Sequence, residues 1–484
     1  MEGSGQFIVD GQHVAAEFTS DHLIWTDTSS KKEVWVETDN IICCTTTTEE
    51  TGFEVVYAAK SKKNDSKLRE GRIVFSGPAD KVRIFSRIIQ GYLAENKRPR
   101  RLLILINPES GKKRGYKDYV NKVQPILERC GIQAEAVVTT GKGQPTEILG
   151  DYDLDSIDGL VAMGGDGFYC ECLNGLIVRR QTDAGVDFND STAELSAPTI
   201  PIGILPAGTG DYVVQYLHGT RCLVTAVLRI LMGKSVNTNS ASIHEDNRCL
   251  AHSGLVLGFG LFGDMMHNCE KYRWMGSNRY NIVPIASLLR RRTVDVEIEY
   301  LPAKSSASTS SPSSRDFKRQ ISLPVGNYKV SMAPRLRRQS SVPDILINIT
   351  NGWQKTTGRV YAVDTHPIVM AAKDGRMRPC FGAENLTMTV TDKCSLSKHV
   401  QQLSLVNDEK PDCYNFDFVR QMNVDAFKVR LSSSTPLRIT KTGRKELDKN
   451  FFINCDGEAI RLTTPQFEVR FHRNIVSLFG TPST

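Results

Sequence analysis

The sequence predicts a multidomain protein of α/β plus β class: a β-rich N-terminal domain, an α/β domain with an open parallel sheet, and a β-rich C-terminal domain. Three observations predict it. Up to about residue 97, short β-type apolar runs alternate with turn residues. From Leu102 onward, strand-like and helix-like runs alternate. Beyond about residue 236 the pattern returns to strands. A length of 484 residues suggests roughly two to four domains. With 40% hydrophobic and 24% charged residues, the chain can bury a large core.

Residues 1–97 hold the runs Phe7-Ile8-Val9, His22 to Trp25, Val34-Trp35-Val36, Ile41-Ile42, Phe53 to Tyr57 and Ile73-Val74-Phe75. A helix then begins near Pro78, a favoured first helical residue, with Val82, Phe85, Ile89 and Leu93 at helical spacing. Strands closed by one amphipathic helix resemble a pleckstrin-homology (PH) domain, which implies a PH-like membrane-targeting role. The tryptophan usual in that family's last helix is missing, and an unrelated small β-domain is the alternative. Lys97-Arg98-Pro99-Arg100-Arg101 reads as a linker.

The second domain, 98–236, shows apolar strands at Leu102 to Ile106, Ala134 to Thr139, Gly159 to Met163 and Ile202 to Leu205. Between the first two, Tyr116, Tyr119, Val120, Val123, Ile126 and Leu127 recur at helical spacing. Such sheets bind ligands at the C-terminal edge of their strands. Residues 237–484 carry strand runs at Val294 to Tyr300, Ile345 to Ile349, Leu386 to Val390, Phe427 to Leu431 and Phe467 to Phe471. A Ser/Pro-rich basic stretch at about 302–343 interrupts them and reads as a disordered insertion.

That insertion holds Lys304, Arg315, Lys318, Arg319, Lys329, Arg335, Arg337 and Arg338 against Asp316, a surplus equal to the chain's whole net charge of +7. The remainder is balanced, which argues against a nucleic-acid-binding face on the folded part. The 12 cysteines form neither CxxC pairs nor the framework of a small secreted domain. The opening residues lack a basic segment followed by an apolar one, so no secretory signal is expected. No run approaches the ~18 apolar residues of a membrane span. A cytoplasmic protein with reduced thiols is the expectation.

Chemistry concentrates in Val161 to Phe168, where an apolar strand ends in Gly164-Gly165-Asp166-Gly167 before a helix. Glycines admit a phosphate close to the backbone, and a helix N-terminus supplies free N–H groups. An aspartate there suits a base or a Mg²⁺ partner better than a direct phosphate ligand. A second glycine loop, Pro206-Ala207-Gly208-Thr209-Gly210-Asp211, follows the strand ending at Leu205, and Asn107-Pro108-Glu109-Ser110-Gly111-Lys112 follows the first strand. Three such loops on one sheet edge indicate a phosphate site. Neither a Walker A loop nor G-x-G-x-x-G occurs in the right context, so nucleotide is expected to be held differently from those folds.

These loops resemble the diacylglycerol-kinase-type catalytic domain, shared by diacylglycerol, sphingosine and ceramide kinases. The resemblance covers about residues 100–300 and returns near the C-terminus. It rests on Gly164 to Gly167 with Glu171, on Pro206 to Gly210, on Glu270-Lys271-Tyr272-Arg273 with Arg279, and on Asp456-Gly457-Glu458. It implies an ATP-dependent lipid kinase in which Asp166 is the base for a lipid hydroxyl. Asn107, Pro108, Glu109, the turn Thr139, Thr140, Gly141, Lys142, Gly143, with Glu171, Gly208, Thr209 and Gly210, would frame ATP. Arg273 and Arg279 would contact its phosphates, and Asp456, Gly457 and Glu458 would return to the nucleotide from the C-terminus. Gly164, Gly165, Gly167, Asp264 and Met266 would border the lipid. Cofactors implied are ATP and Mg²⁺, or Ca²⁺ in its place.

The lipid is read from Leu257 to Asp264 and Met266. Sphingosine kinases place an acidic residue where Met266 stands, to pair with the substrate amine. A thioether suits a neutral amide better. Ala184 to Asp187, Asn454 to Glu458 and the PH-like start also resemble ceramide kinases, so transfer of the γ-phosphate to the primary hydroxyl of ceramide is the expected reaction. Sphingosine or diacylglycerol as substrate is an alternative. So is a catalytically silent ceramide-kinase-like lipid-binding scaffold, which Lys271 to Met275 resembles. NAD kinases are a further rival that shares the GGDG loop. Departures from the family are Glu109-Ser110 where small residues are usual, Gly143 where asparagine is common, and no cysteine cluster after Asn348.

Two R-x-x-S-x-P segments in the insertion, around Ser322 and Ser341, read as phosphosites for 14-3-3 proteins, with a solvated basic linker as the alternative. The expected setting is peripheral association with a membrane such as the Golgi or plasma membrane.

Overall fold

A computed structural model describes residues 2–62, 64–303, 352–432, 437–439, 445–447 and 450–481. Ser322, Ser341, most of the basic insertion and the strand expected at Ile345 to Ile349 lie outside these residues.

The N-terminal runs form a seven-stranded antiparallel sheet, in the order Glu33–Glu37, His22–Asp27, Gln12–Phe18, Gly3–Val9, Asn64–Ser76, Gly52–Ser61, Ile41–Thr46. One face is packed by the helix Ala79–Glu95, whose Val82, Phe85, Ile89 and Leu93 are buried. Pro78 precedes this helix as its cap residue. Phe7 meets Phe53, Phe75 and Phe85 edge-on at 5.1–5.9 Å between ring centroids, a geometry aromatic quadrupoles favour. The sheet's other side shares a core with the next domain, where Ile42, Cys43, Val56, Ala58 and Leu68 join Leu102, Ile104 and Val227. The Leu68 N–H donates to Thr225 Oγ1 at 2.9 Å across that junction.

The α/β region is a parallel sheet in the order Gln133–Val138, Arg101–Ile106, Gly159–Gly164, Ile202–Pro206. Arg101–Ile106, Gly159–Gly164 and Ile202–Pro206 are buried on both faces and so read as continuous apolar runs, whereas the edge strand Gln133–Val138 is largely exposed. The Asn107 N–H donates to the Met163 carbonyl and the Ala207 N–H to the Gly164 carbonyl. These bonds bring the loops after all three central strands to one edge.

Among the described residues, the C-terminal region continues the same sheet to fourteen strands. Its hinge is Gln466–Phe479, which pairs antiparallel with Val419–Leu431 and with Ser235–Glu245. Near its end it runs parallel beside Ile202–Pro206 at Leu478. Among the described residues, three α-helices lie within this largely β region, Leu261–Lys271, Arg279–Arg290 and Leu396–Asn407. No helix among the described residues is long and apolar enough to cross a membrane. All twelve cysteines are unpaired.

Candidate active site

The helix Asp166–Ala184 begins directly after the glycine pair, with Gly165 extended at its start. A carboxylate in the first turn of a helix is favoured by the helix dipole. Asp166 does more than sit on its own helix. Its Oδ2 accepts the Tyr212 N–H and its Oδ1 the Val213 N–H, both at 3.0 Å. It therefore caps the helix Tyr212–His218 and ties the GGDG loop to the second glycine loop.

The glycines between these loops are required by contact. A Cβ on Gly208 would stand 2.5 Å from Gly165 Cα and 2.7 Å from Asp211 Oδ1. One on Gly210 would come within 3.1 Å of Asp166 Oδ2. One on Gly111, already at positive φ, would collide with the Ala207 carbonyl. Three loops thus interlock backbone to backbone, and any side chain would wedge them apart.

Asp211 completes the loop in the left-handed region, at φ 52°. Its Oδ1 accepts the Gly208 N–H at 3.0 Å. Burial, with the nearby charge of Asp166, pushes its carboxyl up to about 6, against the Gly208 N–H and Arg221. Two carboxylates therefore share the edge where these loops meet.

A second cluster lies where the 139–143 turn meets the C-terminus. Thr139 is buried and donates through N and Oγ1 to the Ile106 carbonyl. Gly143 takes φ 81° and caps the helix Gln144–Asp151, and its N–H donates to Glu171 Oε2 at 3.0 Å. Glycine and asparagine are the residues that best tolerate that conformation, so the departure at 143 exchanges one permitted residue for the other. Lys142 Nζ lies 2.9 Å from Glu458 Oε2. Burial would lower its pKa, but Glu458, Glu270 and Glu171 together raise it. Burial raises the Glu171 carboxyl, opposed by the Gly143 N–H and reinforced by Glu458.

Asp456 is buried, and its carboxylate faces inward. Oδ1 accepts Ser253 Oγ–H at 2.7 Å and the N–H groups of Leu255 and Val256 at 2.9 and 2.7 Å. Oδ2 accepts the Gly254 N–H at 2.9 Å. The backbone of the same turn abuts the first loop, since a Cβ on Gly167 would lie 3.7 Å from the Asp456 carbonyl.

On Leu261–Lys271, Asp264 is held bidentate by Arg292 Nη1 at 2.8 and 3.0 Å. Burial raises its carboxyl, and Arg292 opposes that. The Met266 methyl faces the turn glycine, 4.0 Å from where a Gly457 Cβ would be. Arg273 opens a 3₁₀ turn and Arg279 opens the next helix. Asn107 Oδ1 accepts the Glu109 N–H at 2.9 Å, and the exposed Glu109 carboxylate turns to Lys113 at 2.5 Å. Pro108 is half-buried, and Gly141 and Thr209 are exposed at loop tips.

The structure thus gathers Asp166, Gly165, Gly208 and Gly210 at one point, with Gly167 against Asp456, and Lys142, Gly143, Glu171 and Glu458 at another. Asp211 and Glu270, members of these clusters, were not picked out as site residues from sequence. For Asp211 the signal was its place directly after Gly208-Thr209-Gly210; Glu270 gave none beyond its motif.

Residues 101–243 match the diacylglycerol kinase catalytic domain family. The chain is 30% identical over 410 residues to ceramide kinase of Mus musculus, covering 79% of this chain and 75% of that protein. It is 29% identical over 402 residues to ceramide kinase of Homo sapiens, covering 79% and 74%. It is 25% identical over 437 residues to the human ceramide kinase-like protein, covering 82% and 71%. The chain belongs to the ceramide kinase family, among the proteins that carry the diacylglycerol kinase catalytic domain, and is an ATP-dependent lipid kinase.

Proposed function

We propose that the chain transfers the γ-phosphoryl group of ATP to the primary hydroxyl of ceramide, giving ceramide 1-phosphate and releasing ADP. The observation that carries this reading is the convergence on Asp166 of two interlocked glycine loops, in a chain of this family. Each carboxylate oxygen of Asp166 has a lone pair beyond the one facing Tyr212 or Val213. It accepts the lipid hydroxyl proton as the oxygen attacks phosphorus, while the amides of the three loops face the phosphates. The site-residue roles given above for Asn107, Lys142, Glu171, Arg273, Arg279 and Glu458 toward ATP are part of the proposal.

Asp211 would hold Mg²⁺ together with phosphate oxygens, a usual donor set for that ion, leaving Asp166 as the base. The fit is chemical, because burial and the Asp166 charge raise the Asp211 carboxyl, and a bound cation would offset both. Bound there, Mg²⁺ would neutralise developing charge on the phosphates.

The neutral headgroup of ceramide is supported by the helix Leu261–Lys271. Asp264 is already neutralised by Arg292, which leaves Met266 rather than an unpaired carboxylate beside the turn. The N-terminal sheet and helix are proposed as a PH-like membrane-targeting domain over 1–97, ahead of a nucleotide-binding domain at 98–236 and a lipid-binding one at 237–484. Purified protein with labelled ATP and ceramide, sphingosine, diacylglycerol or NAD tests the reading. Product from ceramide above the other acceptors is expected, and preference for sphingosine or product from none of them would overturn it.

Asp211 gives a pH-dependent expectation. Its folded-state value, about 6, lies above the ordinary 3.8. Its stabilising contribution is therefore present below about pH 4 and lost as pH rises through 6, up to about 3 kcal/mol. Asp211→Asn keeps the acceptor for Gly208 and removes the charge. Its Tm should exceed wild type at pH 8, with the gap shrinking toward pH 4. A gap independent of pH would refute the charge argument.

A further inference from the structure

The chain segment after Met266 folds into a helical hairpin with an outward apolar stripe. On Arg279–Arg290, Val283 and Ser287 are buried, whereas Ile282, Ile285 and Leu289 are 53%, 61% and 61% exposed. These three recur at i, i+3 and i+7, one helix face opposite the buried one. Trp274, in the turn before this helix, is 80% exposed. Exposed apolar residues scattered singly need no explanation, but a contiguous stripe does.

Charge names the occupant. Residues 271–292 contain Lys271, Arg273, Arg279, Arg290, Arg291 and Arg292 and no acidic residue; Arg292 is paired with Asp264 and Arg291 bonds Tyr361 and the Cys394 carbonyl, while Lys271 and Arg290 are exposed at the two ends of the segment. An apolar helix face with Trp at its border and basic residues around it matches the interface of an anionic bilayer. The hairpin is also continuous with the candidate lipid site. Its first helix carries Asp264 and Met266 and is clamped to the strand Phe452–Cys455, where a Cβ on Gly263 would collide with the Phe452 carbonyl. His267 stacks on the Phe452 ring at 3.9 Å.

We propose that this hairpin is a membrane-insertion edge, in which Trp274, Ile282, Ile285 and Leu289 enter the headgroup–acyl boundary and Arg290 meets anionic headgroups. A lipid substrate would then pass from leaflet to site along the helix carrying Met266, without crossing water. This role is separate from that of the N-terminal domain, which would set which membrane is visited. The inference rests on the lipid-kinase reading but not on ceramide being the substrate.

The test uses the full chain and sedimentation with phosphatidylcholine vesicles, with and without phosphatidylserine. Ile285→Glu with Leu289→Glu should lower partition to the mixed vesicles by roughly tenfold or more, since two inserted side chains are lost. Arg290→Glu should lower it a few-fold, and only when phosphatidylserine is present. Activity on vesicle-borne lipid should fall with partition, while activity on a short-chain, water-soluble analogue stays within about twofold of wild type. Trp274 emission, taken as the difference between wild type and Trp274→Phe, should shift to the blue on vesicles. Unchanged partition of the double variant would overturn the proposal, as would an equal loss on the soluble analogue. A dimer abolished by the double variant, with vesicle binding intact, would assign the stripe to a second copy instead. Failure to phosphorylate any lipid would sink the reaction proposed above, while vesicle partition would still decide the insertion edge.

Discussion

Asp166→Asn is expected to lower kcat by about a thousandfold, within the range that a positioned general base contributes. The substitution is nearly isosteric, so it removes charge and basicity while leaving the loops in place. Its structural cost follows from the two bonds at 3.0 Å to Tyr212 and Val213. The carboxylate accepts both, whereas the amide oxygen accepts one and its NH₂ confronts the other N–H. A loss of about 1 kcal/mol in stability follows, a small shift in Tm beside the loss of turnover. Removing the Asp166 charge should also let Asp211 ionise at lower pH, since that charge is one cause of its raised pKa. The kinetic measurement is single-turnover transfer at saturating ATP, which separates chemistry from product release. Turnover within tenfold of wild type would transfer the base role to another residue. A collapse of Tm equal to the loss of activity would reduce Asp166 to a helix cap.

The parallel sheet was legible because parallel strands covered on both faces are apolar throughout, and Leu102 to Ile106, Gly159 to Met163 and Ile202 to Leu205 could hardly be read otherwise. The glycine loops were legible for a related reason, as their spacing after those strands fixes them at one edge. What local pattern could not carry was pairing over long distances. Phe467 to Phe471 read as a strand, but nothing in its neighbours signalled that the same strand continues to Phe479 and reaches Ile202–Pro206. Two apparent departures also dissolve in three dimensions. Gly143 answers a backbone requirement at φ 81°, and Glu109 faces Lys113. Asp211 was missed because an aspartate after glycines reads as a turn residue. Its left-handed backbone and its closeness to the Asp166 charge arise only when two loops, each following a different strand, are folded against each other.

Asp456→Ala is expected to cost about 3–5 kcal/mol of stability, a loss typical of breaking a buried polar network. Four donors converge on this carboxylate, and three of them are backbone N–H groups of Gly254, Leu255 and Val256 that cannot turn elsewhere. Truncation leaves them buried without an acceptor. Backbone geometry sharpens the comparison with Asn. Asp456 sits at φ 53°, which Asn tolerates and Ala does not. Asp456→Asn also keeps one acceptor oxygen, so it should fall between wild type and Ala in denaturant midpoint. The functional consequence follows from the same turn. Its carbonyl backs Gly167, and Glu458 two residues on holds Lys142 of the 139–143 turn. Loosening it should raise KM for ATP more than it lowers kcat, because the nucleotide frame slackens while Asp166 keeps its own anchors. Equal midpoints for Ala and wild type would show that the 253–256 loop does not depend on the carboxylate. A loss confined to kcat would place Asp456 in the chemistry itself rather than beneath it.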